Sequence, residues 1–164
     1  MITFITAVDI KNRLIAHLGM DADWVANFPH AILKSNPKAS SPEGSGLFNE
    51  SPCVVIDNAT KTSITSGLGP TGVGSNIDNF QLALLIYITA TSEDDATKDQ
   101  IEELTSIATQ IIDRYSAEPT GMWYRIGGGR ADEAMPIQTD NIYSPAGFRV
   151  SITPFNVFRY YIKP

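Results

Sequence analysis

The apolar run from Phe80 to Ala90 constrains this chain more than any other segment. Phe80, Leu82, Leu84, Ile86 and Ile88 recur at every second position, and Ala83, Leu85 and Tyr87 leave the alternate positions largely apolar as well. Side chains on a strand alternate between two faces, so a strand apolar on both must be covered on both. The run therefore predicts a central strand of a layered domain. It is too short for the about 20 residues that a membrane-spanning helix requires.

A chain of 164 residues with 43% hydrophobic content suits one globular domain spanning residues 1–164. At that size about 68–70% of the unfolded surface is buried on folding, so neither a disulfide nor a metal is needed for stability. The single Cys53 agrees, since one thiol makes no internal disulfide. The segment Met1 to Asp9 has no basic region of the secretory kind, which leads us to expect assembly in the cytoplasm. Net charge is −6, with no cluster of Lys and Arg. Binding to phosphates draws on clustered cations, so sequence-specific nucleic-acid binding is not expected, although DNA sliding past such a surface is compatible with it.

The other elements follow from capping and periodicity. Ala7 to Leu18 predicts a first helix, with Thr6 as cap, Asp9 at the favourable third position and Gly19 as the left-handed residue that ends it. Trp24, Val25 and Phe28 predict a short strand ending near Leu33, and Pro52 to Ile56 a buried central strand that starts at a proline. Ser92 and Asp95 form a capping box before a long amphipathic helix carrying Ile101, Leu104, Ala108, Ile111 and Tyr115 across the sheet. Met122 to Ile126 predicts a further strand, and the stretch from there to Pro145 reads as irregular. A C-terminal β segment over 147–162 alternates Phe148, Val150 and Ile152 with polar residues, and Pro154 should break its ladder. Two long loops are expected, at about 34–51, which is rich in Ser, Pro, Gly, Asn and Lys, and at about 57–79, where Gly67, Gly69, Gly72 and Gly74 follow in quick succession. The predicted class is α+β, a mainly antiparallel sheet packed against one long amphipathic helix, plus a short N-terminal helix and long loops.

No chemistry-bearing constellation stands out. Gly67-Leu68-Gly69-Pro70-Thr71-Gly72 matches the dinucleotide pattern literally, but that pattern works only between a strand and a helix N-terminus. Gly127-Gly128-Gly129-Arg130 lacks the Lys-Ser/Thr ending of a phosphate loop and reads as a turn. Cys53 in an apolar strand reads as a buried hydrophobe rather than a nucleophile served by His17 or His30. Those three residues also lack the paired spacing of a zinc site. Glu93, Asp94 and Asp95 are explained by capping rather than by acid/base work. No catalytic residue, cofactor or metal ligand is assigned, and the chain reads as an assembly component rather than an enzyme.

The aromatic segment after Pro154 needs a partner surface, on its own domain or on a neighbour. Leu47, Phe48, Phe155, Phe158, Tyr160 and Tyr161 are accordingly the candidate oligomer-interface residues. Taken in order, Ala7 to Leu18, Pro52 to Ile56, Phe80 to Ala90, Glu93 to Tyr115 and Gly147 to Ile162 resemble the layout of the tail terminator, or tail-completion, proteins of tailed bacteriophages. That resemblance implies a virion protein forming a homo-oligomeric ring, typically hexameric, which caps the tail tube and joins it to the neck or head. Its implied partners are the tail-tube protein and a neck or head-completion protein, with no membrane. A head-closure or neck protein, a tail-tube subunit, and a small ligand-binding or hydrolytic domain built on Gly67 to Gly74 are the alternatives.

Overall fold

In a computed structural model, residues 6–34, 50–68, 74–115, 122–126, 140–144 and 147–162 are described. Their order is α1 (Ala7–Met20), α2 (Ala22–Asn27), β1 (Cys53–Leu68), β2 (Gly74–Thr89), α3 (Asp95–Arg114), β3 (Met122–Ile126), β4 (Asp140–Ser144) and β5 (Phe148–Ile162). The class is α+β. One sheet runs in the order β1-β2-β5-β3, β4 also pairs with β5, and every strand pair is antiparallel.

The helices lie on one face of that sheet. α1 starts at a capping box in which the Thr6 hydroxyl accepts from the Asp9 N–H at 3.2 Å and the Asp9 carboxylate accepts from the Thr6 N–H at 2.8 Å. The Thr6 hydroxyl also donates to Asp9 Oδ2 at 2.7 Å, and this bond first, then the one from the Thr6 N–H, holds the Asp9 carboxyl below the usual carboxylate range. Ile10, Leu14 and Leu18 recur at four-residue spacing and are fully buried. Gly19 does not end this helix: α1 continues to Met20, and Asp21 takes over as the cap of α2. The strand expected over Trp24 to Phe28 is therefore a helix. The Asp21 carboxylate accepts from the Trp24 N–H at 3.0 Å, and Trp24 and Phe28, one turn apart, stack with centroids 4.5 Å apart inside the core. Beyond it, Leu33 makes a single parallel bridge to Val55.

α3 matches its prediction, with Ile101, Ala108, Ile111 and Ile112 buried against the sheet. Its cap is Asp94 rather than Ser92. The Asp94 carboxylate accepts from the Thr97 N–H at 2.8 Å and from the Ser92 hydroxyl at 2.7 Å, so the serine orients the cap instead of forming it. The Ser92 bond first, then the bonds from Thr97, bring the Asp94 pKa down to about 2.

β2 is central, as its pattern requires. Phe80, Leu82, Leu84 and Ile86 join Val54, Ile56, Phe155 and Val157 under the helices. Leu85 and Tyr87 join Cys53, Val55 and Val150 in a second buried cluster on the opposite face. A fully buried aliphatic or aromatic side chain of this size contributes about 1.5–3 kcal/mol by transfer from water, which makes this two-sided core the main source of stability.

Four other expectations are corrected. Pro52 to Ile56 leads into β1, which ends the strand order rather than lying at its centre. The loop expected at 57–79 is largely a hairpin: β1 pairs with β2 from Cys53↔Tyr87 to Leu68↔Gly74. Thr-rich sequence carries β propensity, and the pairing overrides its turn-like composition. Within the stretch up to Pro145, Asp140–Ser144 is a strand on β5. Pro154 does not break β5, which pairs with β2 continuously from Phe148 to Ile162. On the opposite side β4 ends its pairing at Ile152 and β3 begins at Phe155, so Pro154 falls in the seam between them, where a missing N–H interrupts no ladder. The expected loop at 35–49 and the turn at Gly127 to Gly129 lie outside the described residues.

Candidate assembly surface

β1 and β2 have 16 residues each and β5 has 15, about three times the usual strand length of 5–6. At about 3.3 Å per residue they span roughly 50 Å. The buried positions described on these strands lie at 53–56, 78–80, 82, 84–88, 149–151, 153 and 155–158. Past the level of Asp78 the ladder continues as a three-stranded ribbon, in which Ile64 to Ser66 and Leu68 pair with Ile77 to Gly74, and Ile77 to Ser75 pair with Tyr160 to Ile162.

β1 bulges before it reaches the ribbon. β1 advances from Asp57 to Thr60 while β2 advances from Ala83 to Gln81, so one extra residue is inserted in β1. Such an insertion kinks and twists the strand locally. α1 holds this root in place: Lys11 Nζ donates to the Lys34 carbonyl at 2.7 Å and stands 3.9 Å from Asp57 Oδ1. Regular pairing then runs from Thr60 to Ser66, with a second irregularity before Leu68. Residues 58–68 hold one charged side chain, Lys61, and no proline. Among the described residues no strand pairs with the outer edge of β1, whose only bridge on that side is Leu33 at Val55.

The far ends of the helices form a polar clamp. Arg114 Nη1 donates to Asp23 Oδ2 at 2.8 Å, and Arg114 Nη2 approaches Asp21 at 3.4 Å. The Tyr115 hydroxyl stands 2.9 Å from Asp21 Oδ2, and its ring meets His17 edge-on at 5.4 Å. The Trp24 backbone bond, followed by Tyr115 and Arg114, lowers the Asp21 pKa against the opposing effect of burial. Beside the clamp is a groove of about 540 Å³, lined by residues that include Asn27, Ile107, Gln110 and Asp113. These contacts fasten α1 and α2 to the end of α3, which is a structural role.

Of the predicted interface residues, two have described side chains. Phe155 and Phe158 are both 1% exposed, packed inside the subunit because β5 continues through Pro154. Tyr160 and Tyr161 belong to the ribbon, opposite Ile77 and Asn76, and Leu47 and Phe48 lie outside the described residues. Sequence reasoning missed the edge of β1; the available signal was the repeated Thr at 60, 62 and 65, a β-branched type in otherwise turn-like sequence.

The Gly67 to Gly72 pattern sits at the end of β1, and the next described element is the antiparallel strand β2 rather than a helix, so the phosphate-binding context is missing. Cys53 is buried on the sheet face away from the helices, and burial pushes its thiol pKa up. His17 stands on the helix side, so the sheet separates the two. Among the described residues no three His, Cys, Asp or Glu side chains are grouped to hold a metal ion. No described helix is long and apolar enough to cross a membrane. No protein-family model and no curated protein matches this chain.

Proposed function

We propose that this chain is a structural subunit that associates with copies of itself into a closed ring, a tail terminator of a tailed bacteriophage. In that role the ring, hexameric by the resemblance, caps the tail tube and joins it to a neck or head-completion protein, assembling in the host cytoplasm and ending in the virion. The observation that carries the reading is the length of β1, β2 and β5, 16, 16 and 15 residues, together with an outer edge of β1 that no strand pairs with among the described residues. A long regular edge is a template for strand addition, and its length is accounted for when another surface completes it. The net charge of −6 fits a channel that does not grip the DNA passing through it.

Electron microscopy of the purified protein tests this reading. Closed rings of uniform diameter are expected. Long cylinders would reassign the chain to the tube, and dispersed single subunits at every concentration would refute the ring.

A further inference from the structure

The two outer edges of the sheet match each other in direction and in level. All neighbours in the order β1-β2-β5-β3 are antiparallel, so β1 and β5 run one way and β2 and β3 the other. A copy related by rotation about an axis along the strands keeps those directions, and its β3 meets β1 antiparallel. The levels follow from the pairing. Ser63 pairs with Asp78, Asp78 with Arg159, and Arg159 with Met122. Thr60 likewise connects through Gln81 and Asn156 to Arg125. The stretch of β1 with no outer strand partner among the described residues therefore stands level with β3, whose own outer edge also has none. Rotation about that axis leaves levels unchanged, so the two edges meet. At the level of β4 the arrangement differs: Val55, which connects through Leu85 and Ile152 to Asp140, already bridges Leu33.

Chemistry supports the same contact. A regular edge presents unpaired N–H and C=O groups, and proteins that leave one in water protect it with charges, prolines or very short strands. Thr60 to Ser66 holds only Lys61, and β3 holds only Arg125 as a charged residue. The acidic excess of the chain therefore falls outside the contact, and its two cationic residues, Lys61 and Arg125, stand at neighbouring rather than equal levels, so they are not placed directly opposite each other.

We propose that Thr60 to Ser63 of β1 is the edge onto which β3 of a second copy adds antiparallel, so that the sheet continues from subunit to subunit. This rests on the ring reading above and deepens it. A head-to-tail contact of this kind uses two different surfaces on each copy, which is the geometry that closes into a cyclic ring.

Two measurements test it. Amide hydrogen exchange of the full chain, followed above and below the concentration at which it assembles, should show the alternate amides of 60–63 that do not donate to β2 protected only in the assembled state. The second uses Thr62→Pro and Ser63→Pro separately. Adjacent residues of a strand turn their N–H groups to opposite sides, so one proline removes an outward donor and the other a donor to β2. The variant whose unfolding midpoint matches that of the natural protein should sediment as a single 17.8 kDa chain. Equal protection of these outward amides at all concentrations would mean that the subunit covers this edge itself, and the proposal falls. It also falls if the assembly forms with these amides unprotected, or if the well-folded proline variant keeps its full mass; either result leaves the ring standing. A natural protein that never assembles overturns both.

Discussion

Lys11 Nζ stands 3.9 Å from Asp57 Oδ1 and donates to the Lys34 carbonyl at 2.7 Å, joining α1 to the residue at which β1 bulges away from the core. The Lys11 side chain is 12% exposed, so the contact is partly withdrawn from solvent. Lys11→Met keeps most of the aliphatic stem and removes the charge. Loss of the charged hydrogen bond should lower stability by about 1–3 kcal/mol, read as a shift in the urea midpoint. Assembly should weaken as well, because the root of the ribbon loses an anchor.

A second test concerns the contact between helix and sheet. Thr105 Oγ1 is 2.7 Å from the Ile101 carbonyl and 2.8 Å from Ser151 Oγ, in the buried layer between α3 and β5. A hydroxyl has one proton, so Thr105 gives its own to the carbonyl and accepts that of Ser151. Thr105→Val leaves the Ser151 hydroxyl buried without its acceptor and should cost about 1–3 kcal/mol in chemical denaturation. Adding Ser151→Ala removes the stranded group, and the double variant should recover part of that loss.

Acid stability should be governed by the helix caps. The Asp94 pKa is lowered from 3.8 to about 2, and those of Asp21 and Asp9 are lowered too. A carboxyl with a depressed folded pKa adds stability that is complete above its unfolded pKa and disappears as pH falls through the folded value. For Asp94 that window runs from pH 3.8 down to about 2. Asp94→Asn keeps an acceptor for the Thr97 N–H but does not titrate. Thermal midpoints of the natural protein should fall faster across that window than those of the variant; parallel curves would show that this cap does not contribute.

Two neighbouring residues of β5 should respond in opposite ways. Phe155 is fully buried beneath the helices, and Phe155→Ala opens a cavity that should cost about 3–5 kcal/mol, seen as a large loss in thermal midpoint of the subunit. Pro154 is exposed and lies in the seam between β4 and β3, so Pro154→Ala should change stability by no more than about 0.5 kcal/mol. A large effect at Pro154 and a small one at Phe155 would contradict the register of β5.

The parts of the fold legible in the sequence were those with many repeats of one period. Phe80 to Ile88 alternates for nine positions, and Ile101 to Ile111 repeats over three turns, so a few ambiguous residues do not hide the pattern. α2 was misread because six residues hold too little periodicity, and its signal was one cap, Asp21, seen as part of a turn. The hairpin beyond Asp57 was read as loop because its stability comes from pairing with β2 and β5, a tertiary effect absent from local composition. The same cause hid the burial of Phe155 and Phe158. Phe155 and Phe158 look like unused aromatics only while β5 is thought to stop at Pro154.

Sedimentation equilibrium across a hundredfold dilution tests the ring most directly. One mass, a fixed multiple of 17.8 kDa that persists before giving way to single chains, is the expected result. A chain that stays at 17.8 kDa throughout, or a mass that rises without limit as concentration increases, would contradict it.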